Sequence, residues 1–188
     1  MTVKEQLHSA WSADVMKITQ TLLACMHWKK SDAAIAEMCC TILATLLFTE
    51  AEEKAAQDLS VKTGDQRAEL VRSLSLNRIK ACIPGGEKTF IRNLVRLMGH
   101  TQPEAVVLQG VLCLMVLRLL PRDPVLKTKY LRDFKALGVP GAVFNILSQP
   151  HAWRDAEVRP IATGILEYFA HPLPEHRRRK KKMAGLIS

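Results

Sequence analysis

The amino-acid sequence predicts an all-α fold assembled from repeated pairs of helices. Apolar residues recur with a period close to 3.6 along most of the 188 residues, which is typical of amphipathic helices. No alternating apolar run is bounded by hairpin turns, so no strand is predicted. A short apolar helix, a polar turn and a longer apolar helix also follow one another three times, which indicates an internal repeat.

The first half of the chain predicts four helices. A stripe from Val15 to Met26 predicts the first, and Ser31-Asp32 resembles an N-cap for a second over 32–48. Residues 50–62 are polar and rich in alanine, which favours a short surface helix. Gly64-Asp65 interrupts that helix and offers an N-cap for the next, over 66–83, which Pro84-Gly85-Gly86 ends.

The second half predicts helices over 87–98, from Pro103 to 120, over 125–136, over 140–147 and over 155–170, with a loop around Pro150. Pro160 lies inside the last of these and would allow a kink. The longest apolar run, Val106 to Leu120, is shorter than the roughly 20 residues that a membrane span needs. It predicts a buried helix, and no membrane insertion is expected.

The three copies of the pattern lie at Leu22–Leu47, Leu94–Leu117 and Val143–Phe169. They resemble armadillo or HEAT repeats, and the segment Leu137-Gly-Val-Pro-Gly-Ala-Val-Phe-Asn-Ile-Leu147 is similar to an armadillo helix junction. The copies are spaced by about 71 and then about 50 residues against roughly 40–47 in the family, so an insert or an elongated first helix is expected within 50–83. HEAT repeats and an irregular helical bundle remain alternatives.

The resemblance implies a short right-handed α-solenoid of about three irregular repeats over residues 1–174, followed by a basic tail at 175–188. Charge is unevenly distributed between these parts. Residues 1–62 carry a net charge of −2, residues 63–174 carry +6 and the tail carries +5, which together give +9. This distribution favours a partner with an acidic surface.

The resemblance also implies that one helix of each repeat lines a concave binding face. The candidate partner-binding residues on that face are Lys88, Arg92 and Arg96, which share one helix face, together with Asn145. A second candidate is the cationic run Arg177, Arg178, Arg179, Lys180, Lys181 and Lys182, which could be a localisation signal, an RNA anchor or a protein anchor. The alternatives are a solvated helix face and a solubilising tail.

Catalytic, cofactor and metal sites are not predicted. Gly85-Gly-Glu-Lys-Thr89 departs from a phosphate-binding loop because Glu87 precedes the lysine and no strand precedes the loop. Cys25, His27, Cys39 and Cys40 lack the spacing of a zinc site. The odd number of cysteines argues against a disulfide framework, and the histidines lack a catalytic arrangement.

Two functions therefore follow as expectations. The first is a non-catalytic scaffold or structural subunit of a larger complex, anchored on an acidic surface such as that of a microtubule. The alternative is an RNA-associated subunit of a ribosomal or other ribonucleoprotein particle, although the low aromatic content of 5% offers few residues for base stacking. The expected location is the cytoplasm or the cytoskeleton, with the nucleus as an alternative because of the basic tail.

Overall fold

The computed structural model describes residues 3–28, 32–58, 60 and 63–170, and within these ranges the chain is all-α without a strand. Short turns separate most of the helices. The helices are α1 (Val3–Trp28), α2 (Ala33–Ala44), α3 (Glu50–Gln57), α4 (Gly64–Cys82), α5 (Gly86–Leu97), α6 (Val106–Leu119), α7 (Pro124–Ala136), α8 (Val139–Leu147), α9 (Pro150–Arg154) and α10 (Val158–Ala170).

Most of the predicted helices are confirmed, and their caps explain where they begin. Asp32 caps α2 by accepting a hydrogen bond from the Ile35 amide at 3.1 Å, as the sequence predicts. The cap of α4 lies before the predicted Gly64-Asp65, at Thr63, which forms a capping box with Gln66. Gly138 takes a φ of +83° between α7 and α8, a conformation that favours glycine.

One prediction about the last copy was wrong. The region around Pro150 is a short helix, α9, with the proline in its first turn, and not a loop. The final helix begins at Val158, and Asp155, at the predicted start, caps it by accepting hydrogen bonds from the Glu157 and Val158 amides at 2.8 Å. Pro160 lies in the first turn of this helix, where proline is tolerated better than in the interior.

The second helix is longer than predicted. A π-helical stretch at Thr45–Thr49 joins α2 to α3, so helical structure continues from Ala33 to Gln57. A π turn disturbs the regular hydrogen bonding of the backbone carbonyls. The Arg78 guanidinium from α4 donates a hydrogen bond to one of them, the Leu46 carbonyl, at 2.8 Å. Arg78 also forms an ion pair with Glu50 at the start of α3, so α4 is fixed to this junction.

The stretch Ala33–Gln57 is, by length and composition, the one described helix apolar enough to cross a membrane. Sequence reasoning overlooked it, because the polar residues after Thr49 predict that the helix ends there. One face of the stretch packs against α1, α4 and α6 through side chains such as Ala36, Leu43 and Leu47. A core helix of a water-soluble protein and a signal sequence both meet the same criteria of length and composition.

Helix α6 lies at the centre of the fold. It packs between α2 on one side and α10 on the other, with α4 and α5 also against it. Its buried residues, among them Leu112 and Val116, belong to one continuous core that reaches from α1 to α10. A small second core of Ala51, Ala55 and Val71 closes α3 onto α4, the segment where the sequence predicts an insert.

Candidate basic cleft between α5 and α7

Helix α5 presents three cations to solvent. Its apolar residues Phe90, Ile91, Leu94 and Leu97 are buried against the core, so the opposite face must be exposed. Lys88, Arg92 and Arg96 occupy that face at spacings of four residues, and all three are exposed. The helical spacing predicts this placement from the sequence, and the structure agrees with it.

Helix α7 lies beside α5 and runs in the same direction. The Tyr130 hydroxyl donates to Glu87 Oε2 at 3.4 Å near the beginning of α5. Near its end, a Cβ placed on Gly138 would stand 3.9 Å from Val95 Cγ1. Both contacts join residues 43 positions apart, so the two helices keep one register along their shared length.

A cleft of about 490 Å³ separates the two helices. Lys88 from α5 and Lys129 from α7 both line it, and Glu87 and Asp133 add two carboxylates. Its apolar lining consists of Ile91, Phe134 and Leu137 together with the Tyr130 ring. The structure therefore brings together cations that are 41 positions apart in the sequence, in a site that also offers apolar contact.

A buried charged group lies behind the cleft. Arg72 of α4 is only 5% exposed, stands 4.9 Å from the centre of the Tyr130 ring and donates from Nε to Glu69 Oε1 at 2.8 Å. Glu69 also accepts from the Arg122 amide at 3.2 Å, which fixes the turn before α7. These contacts hold Tyr130 in place and position α7 beside α5.

The carboxylate of Glu87 lies in a partly buried part of the cleft wall. Burial raises its pKa, while the nearby Arg72 charge and the Tyr130 hydroxyl act in the opposite direction. Its Oε1 atom is buried without a hydrogen-bond partner, as is Arg72 Nη1. The buried groups in contact with Tyr130 therefore include one unsatisfied acceptor and one unsatisfied donor.

Two other cations near the turn between α6 and α7 contact groups within the chain. Arg118 forms an ion pair with Glu52 at 2.6 Å, and Lys127 Nζ stands 4.4 Å from the centre of the Tyr168 ring. Lys129, Arg132 and Lys135 are the exposed cations of α7. The basic face is defined here as Lys88, Arg92 and Arg96 of α5 with Lys129, Arg132 and Lys135 of α7.

Asn145 is exposed on α8 but does not line the cleft. It lies beside Phe144, which is 63% exposed. Arg177, Arg178, Arg179, Lys180, Lys181 and Lys182, and with them the whole tail at 175–188, lie outside the described residues. The described part of the chain contains no group of three or more histidine, cysteine or acidic residues that could hold a metal ion.

Sequence reasoning missed Arg72, Glu87, Tyr130 and Asp133. Arg72 had a recognisable signal, because it shares the spacing of the buried residues Ser75, Leu76 and Ile79 and so stands on the inner face of α4. A cation at an inward position requires a buried partner. The pairing of α5 with α7 had no comparable signal, since it depends on tertiary packing.

Comparison with known proteins does not extend this description. No protein-family model, no curated protein sequence and no solved structure matches the chain significantly.

Proposed function

We propose that this chain is a non-catalytic scaffold or structural subunit that binds the acidic surface of partner proteins through its basic face. The observation that carries this proposal is that Lys88 of α5 and Lys129 of α7 line one cleft. The other exposed cations of these two helices lie beside it. Exposed cations arranged in this way attract acidic surfaces over several ångströms and set the orientation of binding.

The distribution of charge over the fold supports a dedicated surface. Helices α4, α5 and α7 carry net charges of +2, +2 and +3, whereas α2, α6 and α10 carry −1, +1 and 0. Since α4 packs on α5 and α7 lies beside it, the positive charge is concentrated on one side. The tail at 175–188 adds +5 and is proposed as a second anchor for the same kind of partner.

The proposal includes a short α-solenoid of the armadillo or HEAT kind, in which corresponding helices stack in parallel one repeat apart. Several contacts support it. Tyr168 donates to the Pro121 carbonyl 47 residues away, and Gln109 donates to Gln149, 40 residues away. Like the contact between α5 and α7, these hydrogen bonds join segments 40–47 residues apart, as the stacking of consecutive helical repeats requires. A surface of this kind suits extended protein partners, and an acidic cytoskeletal polymer such as a microtubule has the required chemistry.

The test is affinity purification of the tagged full-length protein from its native cells, with and without RNase. The variant Lys88→Glu/Arg92→Glu/Lys129→Glu reverses three charges of the basic face. We expect it to lose the partners that the unmodified protein retains after RNase treatment. Deletion of residues 177–182 should weaken the same partners, because the tail is proposed to contact the same acidic surface.

A matched control is available because three other exposed cations lie on different helices. Lys17→Glu/Arg154→Glu/Arg159→Glu changes the net charge by the same amount but leaves the cleft intact. If this control loses the partners equally, net charge and not the basic face is responsible, and the proposed site is wrong.

The second candidate is an RNA-associated subunit, which the continuity of the basic face across α5 and α7 favours. Against it, the aromatic ring in the cleft that is nearest the cations, Tyr130, is occupied on one face by Arg72 and offers little for base stacking. Loss of all partners with RNase would support RNA binding. In that event the charge-reversal variant should lower the slope of log affinity against log salt by about one for each phosphate that the protein no longer neutralises.

A further inference from the structure

A second cleft lies where α1 and α4 meet the π-helical stretch and α3. Its volume is about 830 Å³, which falls within the range of roughly 300–1,000 Å³ that is typical of small-molecule sites. None of its described lining residues also lines the basic cleft between α5 and α7. It is therefore a separate site, which the proposed function does not use.

The walls of this second cleft are aliphatic. Three of the wall residues, Val15, Leu47 and Ala51, are buried, so the cleft reaches the hydrophobic core and is not a flat helix face. The described lining residues include no aromatic ring, and walls of this composition favour an alkyl chain over a planar ring. The aliphatic cleft is defined here by Val15, Leu46, Leu47, Ala51, Leu74 and Ala81.

The π-helical stretch forms part of this wall. Leu46 and Leu47 both belong to Thr45–Thr49, and π turns are rare in proteins and are found frequently at functional sites. The Arg78 guanidinium also lines the cleft, and its hydrogen bond to the Leu46 carbonyl at 2.8 Å fixes it against the π turn. An unusual backbone and a cation in a fixed position therefore meet at one aliphatic site.

A second cation, Lys54 of α3, lies at the same cleft. Lys54 Nζ stands 2.8 Å from Glu50 Oε1, while Arg78 pairs with the other oxygen of the same carboxylate. Lys54 therefore shares its carboxylate with another cation, and its side chain is half-exposed. An ammonium group has three donors and Glu50 Oε1 accepts from one of them, so Lys54 can also donate to an anion in the cleft.

We infer that the aliphatic cleft binds a small aliphatic carboxylate, with its alkyl chain between α1 and α4 and its carboxylate on Lys54. The exposed Asn77 amide, which also lines the cleft, offers a further donor to the same carboxylate. The contribution of α4 runs from Leu74 to Ala81, which is about 10 Å along the helix, so a chain of medium length matches the site.

The experiment titrates full-length protein, labelled with ¹³C at the valine methyl groups, with octanoate below the concentration at which octanoate forms micelles. We expect the Val15 methyl signals to shift and those of Val116 and Val139, which are fully buried elsewhere in the core, to stay unchanged. Octanoate should bind up to about fifteenfold more tightly than hexanoate, because each additional buried CH₂ strengthens binding about fourfold.

Two variants separate the charged contact from the aliphatic one. Lys54→Gln should weaken octanoate binding about tenfold and leave the binding of uncharged octanol unchanged, because only the carboxylate needs the ammonium. Ala81→Trp should abolish the binding of both molecules, because the larger side chain fills the cleft. The matched control is Ala56→Trp, at an exposed position of α3 outside the described lining, and it should bind both normally. Circular dichroism checks that each variant is folded.

The basic-face variant Lys88→Glu/Arg92→Glu/Lys129→Glu should bind octanoate normally, so this inference and the proposed function can fail independently. Octanol that binds as tightly as octanoate would overturn the assignment of a carboxylate. Unshifted Val15 signals, or an Ala56→Trp protein that loses binding as completely as Ala81→Trp, would overturn the site itself. A response that appears only above the micelle concentration would also overturn it, because it would report a lipid surface and not a site for one molecule.

Discussion

Gln109 links the turn before α6 to the turn before α9, and its substitution measures how much this link contributes to the stability of the fold. The side chain lies inside α6 with no exposed area. Its Nε2 atom donates to the His100 carbonyl at 2.7 Å, in the turn before α6, and to Gln149 Oε1 at 2.9 Å, in the turn before α9. One amide therefore joins the turn before α6 to the turn before α9.

We expect Gln109→Leu to lower the free energy of unfolding by about 2 kcal/mol. Two hydrogen bonds are removed, each contributing about 1 kcal/mol net, and a buried carbonyl such as that of His100 costs about 1–3 kcal/mol when it has no donor. Removal of the buried Gln109 Oε1, which has no hydrogen-bond partner, offsets part of this cost. For a protein of this size, the corresponding fall in Tm is about 4–8 °C.

Urea denaturation followed by circular dichroism measures this change, with Gln149→Ala as the comparison. Gln149 is half-buried and loses only the bond to Gln109, so its variant should lose less stability. In the double variant the two effects should be less than additive, by about 0.5–1 kcal/mol. A Gln109→Leu protein as stable as the original would refute the reasoning, because it would show that the amide contributes nothing net to joining the turns.

Three further predictions concern single positions. Gly138→Ala should destabilise the fold by about 1–2 kcal/mol, because Gly138 has a positive φ. Gly141→Ala should stabilise the fold by up to about 1 kcal/mol, because Gly141 lies in helix α8 with free space around it. Thermal unfolding of both variants measures these changes. Burial raises the pKa of Glu87, so the folded state binds this proton more tightly than the unfolded state. The free energy of unfolding should therefore fall as the pH rises from the unfolded pKa of about 4.3 through the folded pKa. Urea titrations at several pH values should show a smaller fall for Glu87→Gln. Thiol titration of the native protein should find Cys25 reactive and Cys113 unreactive, because burial raises the pKa of Cys113 to about 12; fast reaction of Cys113 would contradict its placement in the core.

Helical periodicity was sufficient to predict the all-α class and most of the helices. The stripes of α5 and α6 place their apolar residues at helical spacing, and the structure buries most of those residues, whereas Met38 and Ile42 of the α2 stripe are exposed. The same reasoning predicts that Lys88, Arg92 and Arg96 share an exposed face, because a helix has one direction to bury and one to expose. Such properties are local, so the sequence determines them without knowledge of the neighbours.

The failures have a common physical origin in interactions between distant segments. The π stretch at Thr45–Thr49 depends on Arg78, 32 residues beyond Leu46, so the local sequence offers no reason to expect a continuous helix. The cleft depends on the register of α5 with α7, which Arg72 and Tyr130 help to set. Neither pairing leaves a periodic pattern in one segment, and both emerge only when four helices are packed together.

The separation of charge follows from the same packing. The exposed positions of α2 and Val107 of α6 could carry charged side chains at little cost to the core, because they face solvent. Solvent exposure alone would favour lysine or glutamate at Met38, Ile42 and Val107. Among the described helices, the net positive charge is instead largest on α4, α5 and α7. Large apolar side chains remain exposed on α2 and α6, so the packing gives this protein two chemically distinct surfaces.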